Sequence, residues 1–241
     1  ENIYSEGFFR HWRLRDCLSS NFISVRARFG PVGAVGFYAD STGGSNPNAL
    51  TLTSCVFGSL PGLGIRVDDP SNFNMYGGSV ESCGVTGSSA IAIYNGGSQG
   101  AAAWNFNGVY FEGNTGIADI RVIINGALME SAGIVQSCSF NRISATDFTT
   151  HNILLQQTSP TDKYVTIDVR GSAFINSIDY TPSVSRKYIS VISSAKFRIT
   201  EDSNFYKSEI EIPQYFSSGV VYGPSINVDA SVLPLNGKLN I

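Results

Sequence analysis

A chain of 241 residues, 42% hydrophobic and 15% charged, can bury a sizeable core; this is neither a disordered composition nor that of long Ala/Glu/Lys/Leu helices. It contains no run of about 18 or more apolar residues, which argues against a membrane span. A net charge of −3 argues against general nucleic-acid binding, which needs clustered Lys and Arg.

The opening "ENIYSEGFFRHW" lacks the basic-then-apolar layout of a signal peptide, and a start on Glu1 reads as a cut from something longer. "FRHWRLRDC" and "SVRARF" then set Arg13 and Arg15, and Arg26 and Arg28, at alternate positions. That electropositive strip suits an anionic polymer or the acidic residues of a preceding domain. Further along, "AVGFY", "LGIRV", "AIAIY", "IADIRVII", "NILLQ", "YISVI" and "EIEI" read as strands. The segments between them, such as "TGGSNPN", "VTGSS", "NGGSQG" and "TSPTD", are turn chemistry. No segment carries a persuasive helical period, so the expected class is all-β.

One phrase recurs: one or two small residues, then a bulky apolar one. It ends at Phe22, Val56, Val80, Phe111, Phe140, Phe174 and Phe205, at intervals of 24 to 34 residues. Within it, "FNMYGGSVESC" (73–83) and "WNFNGVYFEGN" (104–114) align without a gap, Glu81 on Glu112 and Phe73 on Trp104. Loose self-similarity of this length indicates a solenoid whose successive coils bury what one coil cannot. The expected architecture is a right-handed parallel β-helix of about seven coils over 1–212, with an extended segment, 213–241, capping the last coil or meeting partner chains. The phrase predicts one inward column, with Ile65, Ile91, Ile120, Ile153, Ile189 and Ile210 approximating a second. Small residues before the first column suit a tight corner. Cys17, Cys55, Cys83 and Cys138 show no C-x-x-C spacing and read as free thiols, mostly buried, in a chain that folds in a reducing cytoplasm.

With "YFEGNTG", "SVESCG" and "SCSFNR" as corner phrases, residues 9 to 212 resemble the pectate-lyase-like superfamily, and especially bacteriophage tailspike and tail-fibre depolymerases. The resemblance implies a homotrimer made in the host cytoplasm and carried on the virion tail. Its implied partners are bacterial surface polysaccharide, its own copies, and other tail proteins reached through an N-terminal region. Such proteins bind capsule or lipopolysaccharide and often cleave it by hydrolysis or β-elimination, whereas fold alone establishes no activity.

Candidate chemistry centres on Glu81 and Glu112. Each follows an inward residue, so both point outward on adjacent coils. Carboxyls about 5 to 5.5 Å apart serve a retaining glycosidase, and about 6.5 to 9.5 Å an inverting one; the alternative is a solvated ladder or a subunit contact. Asp119 and Arg121 flank inward Ile120 and are expected to face out, with Arg66 at the matching position two coils earlier; together they could grip an acidic sugar, or form an exposed ion pair of little worth. Tyr76 and Tyr110 are expected near the glutamates, offering flat apolar surface to sugar rings or to another subunit. His11 and His151 lack ligand-spaced neighbours and read as incidental. "GGSQG" formally matches a nucleophile motif, yet Ser98 lies between strand-like stretches where an elbow needs a following helix. No cofactor, P-loop, dinucleotide or metal motif is indicated.

Overall fold

A computed structural model describes residues 3–15, 17–40, 46–85, 88–95, 103–125, 130–142, 149–159, 164–176, 187–192, 196–208, 220–222 and 227–228. Among these residues there is no helix. Three sheets of eight, seven and nine strands run side by side, and nearly all neighbouring strands are parallel. Each coil takes one strand from the third sheet, one short strand from the first, and one from the second. In one such coil these are Asn72–Tyr76, Ser79–Glu81 and Ser89–Asn95. This is a parallel β-solenoid.

The corner between the third and first sheets explains the recurring small residues. Ser24, Ser54, Gly77, Gly108, Ser137, Gly171 and Ser203 each open it with φ between 52° and 67°. That left-handed backbone costs a non-glycine residue about 1–2 kcal/mol, while Gly77 and Gly108 adopt it freely. In each of the first six, the amide donates to a carbonyl of the next coil, as Ser54 to Tyr76 at 2.8 Å and Gly77 to Asn107 at 2.8 Å. The ladder thus turns the corner unbroken. A second left-handed column, with Ser59, Ser82 and Gly113, closes the first sheet in the same way. Cys55 and Cys138 follow the first corner and Cys83 the second. All three are buried free thiols that donate to carbonyls, as Cys83 Sγ does to Glu81 O at 3.4 Å.

Inside the first sheet, Phe57, Val80, Phe111, Phe140 and Phe174 stack in register. Phe140 lies flat between Phe111 and Phe174, with centroids 4.6 and 4.8 Å away. Three members expected in this column lie elsewhere. Val56 precedes the inward position, because Cys55 occupies the corner and Phe57 turns in. Phe205 pairs with Ala173, and Tyr206 takes the register position against Phe174. Phe22 belongs to the third sheet, where it begins a column through Leu52, Met75, Phe106, Val135 and Val169. The second expected column holds through Ile65, Ile91, Ile120, Ile153 and Ile189; Ile210 lies outside the described residues. Trp104 pairs in register with Phe73 inside the third sheet, and Gly133 beyond it leaves room for the indole. At the far end Val220–Tyr222 pairs parallel with Lys196–Asp202, and Asn227–Val228 pairs antiparallel with it.

Candidate functional site

Strand alternation fixes the outer face of the first sheet. Val80 and Phe111 are wholly buried, so the next residues, Glu81 and Glu112, must turn outward. They pair directly across adjacent coils, between Gly58 on one side and Asn141 on the other. Register-paired strands lie about 4.8 Å apart, which sets the scale of the carboxylate separation. Both glutamates are half-buried, and among the described residues no hydrogen bond or ion pair engages either carboxylate. Tyr110 stands on the same outer face, two residues before Glu112 and opposite Ser79, and is exposed. Asn141, next in the row beyond Glu112, donates to Ser139 Oγ at 3.1 Å, and Ile175 and Lys207 follow it in register. Two adjacent carboxyl groups, one as the acid and one as the carboxylate, with a phenol beside them, can donate and accept protons at a bond laid across the coils.

The remaining sequence candidates occupy other faces. Tyr76 is exposed but ends a strand of the third sheet, across the Gly77–Gly78 corner from Glu81. Arg66 and Arg121 lie on the outer face of the second sheet in one row, with Ala92 between them. Arg121 donates from Nε and Nη2 to Gln156 Oε1, at 3.0 and 2.5 Å. Asp119 departs from expectation: it does not stand in solvent beside Arg121 but is 5% exposed. Its carboxylate accepts from Asn114 Nδ2 at 3.1 Å, Thr149 Oγ1 at 3.1 Å and Asn152 Nδ2 at 2.7 Å. Burial pushes this carboxyl above its ordinary value, opposed by the Arg142 charge and by those three donors. Asn114 also accepts from the Cys83 amide and donates to Val80 O, so the cluster ties the second corner to the neighbouring coil.

Sequence reading missed an aromatic–arginine ladder on the second sheet. The Arg66 guanidinium lies between the rings of Tyr38 and Tyr94, 4.9 and 4.6 Å from their centroids. Asp68 holds it at 2.9 and 3.1 Å while accepting from the Tyr38 hydroxyl at 2.9 Å. Burial disfavours the Arg66 charge, yet the bond and charge of Asp68 outweigh it, and its pKa ends raised. One coil back, Arg13 and Arg15 share buried Asp40, at 2.6 and 3.4 Å. Tyr38 and Arg66 each follow an inward residue of one column, Phe37 and Ile65, so that offset would have paired them; Tyr94 lies in register with Asp68, two positions beyond, and the offset does not reach it. His11 Nδ1 meets Ser5 Oγ at 2.9 Å, and His151 Nδ1 meets Thr150 Oγ1 at 2.9 Å. Among the described residues no group of three or more His, Cys, Asp or Glu could hold a metal, and Ser98 lies outside them.

The fold and this site define a parallel β-solenoid with a register-paired couple of glutamates on one outer face, uncommitted among the described residues. No family model matches the sequence, and neither curated proteins nor solved structures give a match.

Proposed function

We propose that this chain is the polysaccharide-recognising part of a homotrimeric bacteriophage tailspike, and that it hydrolyses bacterial capsule or lipopolysaccharide. The observation that carries the proposal is the direct register of Glu81 and Glu112, both outward, uncommitted and beside exposed Tyr110. In this reading one carboxyl protonates the leaving glycosidic oxygen while the other, ionised, attacks the anomeric carbon. Water then displaces the enzyme from the glycosyl ester, returning the proton to the first carboxyl. Strands about 4.8 Å apart favour this retaining course over an inverting one, which needs carboxyls about 6.5 to 9.5 Å apart. Tyr110 would stack on a sugar ring of the cleaved unit. Tyr76, Arg66 and Arg121, on the flanking sheets, would contact more distant units, with Arg121 as the grip for an acidic sugar and Asp119 bracing the corner beneath.

Incubation of the purified protein with a panel of capsular and lipopolysaccharides tests this, following reducing ends together with ultraviolet absorbance of unsaturated products. Reducing ends without absorbance are expected, and Glu81→Gln with Glu112→Gln abolishes them while leaving assembly intact. Cleavage retained in that double variant removes the site assignment. A second reading, a non-catalytic adhesive β-helix, draws on Asn141, which continues the row without a charge. Binding without any new reducing ends across the panel would select it. Both signals together would select a lyase.

A further inference from the structure

Three sheets give the solenoid three outer faces, and one of them carries no charge over most of its length. On Ser19–Ile23, Ala49–Thr53, Asn72–Tyr76, Ala103–Asn107 and Ser131–Gln136 of the third sheet, alternation turns three side chains of each strand outward, and none is ionisable at neutral pH. The middle row of this face runs Asn21, Thr51, Asn74, Asn105 and Ile134 in register. The rows on either side hold serine, alanine, asparagine, threonine, glutamine, one isoleucine and one tyrosine. Some of these groups hold each other in place: the Tyr76 hydroxyl donates to Asn74 Oδ1 at 3.5 Å, and Asn74 Nδ2 donates to Asn72 Oδ1 at 3.0 Å. One coil further, where charge returns, it is neutralised within the strand, because Asp168, in register with Ile134, is bridged by Arg170. The other two faces differ over the same coils: the first sheet shows Arg26, Arg28, Glu81 and Glu112, and the second Arg13, Arg66 and Arg121.

Symmetry says what such a face fits. Copies related by rotation about an axis parallel to the solenoid keep every residue at its own height, so a side chain beside that axis meets its own copies. An arginine or a glutamate there would meet its like and repel it. Amides and hydroxyls both donate and accept, so they can satisfy themselves across the axis. Depletion of charge around an exposed apolar centre is also the composition of an interface core, and Ile134 supplies that centre. We infer that the outer face of the third sheet is where copies of this chain meet, with their solenoids parallel and the middle row nearest the symmetry axis. This rests on the homotrimer of the proposed function and not on its hydrolysis. The first sheet, with Glu81 and Glu112, is thereby turned away from the axis and left open to substrate.

Asn105→Lys and Asn105→Glu in the whole chain test the inference, with Ser139→Lys on the outer face of the first sheet as the control. Light scattering over a dilution series reads the mass, and circular dichroism checks that each variant is folded. The wild type is expected at the mass of three chains. Each Asn105 variant should weaken association by about tenfold or more, mixing the two should restore it, and Ser139→Lys should leave it unchanged. Asn105→Cys gives a readout that adds no charge and decides the matter should the charged variants not fold: mild oxidation should link its chains by disulfides, whereas Ser139→Cys should stay unlinked. A wild type of single-chain mass at the highest concentration reached would overturn the inference and the homotrimer together, leaving hydrolysis to its own assay. A trimer indifferent to the charges at Asn105, or linked equally through both cysteines, would overturn the inference alone. Asn105 variants that keep their mass but lose polysaccharide binding would give the face to a sugar chain and overturn it as well.

Discussion

Phe140→Ala tests the register on which the site depends. Phe140 is wholly buried, with its ring within 6° of parallel to Phe111 and 3° of parallel to Phe174. Truncating a buried Phe costs about 3–5 kcal/mol. Losing two stacked contacts, each worth about 0.5–1.5 kcal/mol beyond area, puts this variant at about 4–5 kcal/mol. Phe205 supplies the control, since it ends the same sequence phrase but is 58% exposed. Fully burying a Phe is worth about 1.5–3 kcal/mol, so Phe205→Ala should cost about 1 kcal/mol. Urea unfolding followed by circular dichroism measures both. Hydrogen exchange at Tyr110–Glu112 and Ala173–Asn176 checks whether coils open separately, as a solenoid permits. Equal losses, or under about 2 kcal/mol at Phe140, would refute the register and with it the direct pairing of Glu81 and Glu112.

Asp119 gives a pH signature. A carboxyl raised in the folded chain above its ordinary value of 3.8 keeps its proton longer there than when unfolded. Between the two values stability therefore falls as pH rises, and above the folded value the deficit persists. Asp119→Asn removes that slope, so the advantage of the wild type should grow as pH falls through the window; a constant difference in unfolding free energy rejects the argument. The same variant sets an amide NH2 where a carboxylate oxygen accepted from Asn114, Thr149 or Asn152, and should cost about 1–3 kcal/mol at neutral pH. Burial pushes the thiols of Cys83 and Cys138 up to about 12, so iodoacetamide at pH 8 should label Cys17 in the folded chain and spare those two until unfolding, as mass spectrometry of the peptides will read. Gly133→Ala would place a methyl within the Trp104 ring, costing about 1–3 kcal/mol; Trp104→Leu in the same chain should recover part of it, and purely additive losses would show that the ring is not the obstacle.

The pairing of Glu81 with Glu112 was legible in the sequence because 73–83 and 104–114 match without a gap, so equal spacing along the strands became equal height on the solenoid. The second column from Ile65 to Ile189 was legible for a similar reason, since each isoleucine sits in a short alternating run. Where two apolar residues stand together, as Val56 and Phe57 do, composition cannot say which turns inward. The left-handed corner at Ser54 decides it, by fixing how many residues separate the turn from the column. Alternation likewise gives the side of the sheet a residue leaves from, but not what it meets there. Asp119 leaves the core as expected and is then enclosed by Thr149 and Asn152 of the next coil, and Arg66 is clamped between tyrosines of the coils before and after it. Those contacts join residues about 30 positions apart through loops of unequal length, so the local pattern set the strands and their faces, while only the stacking of coils decided which side chains meet.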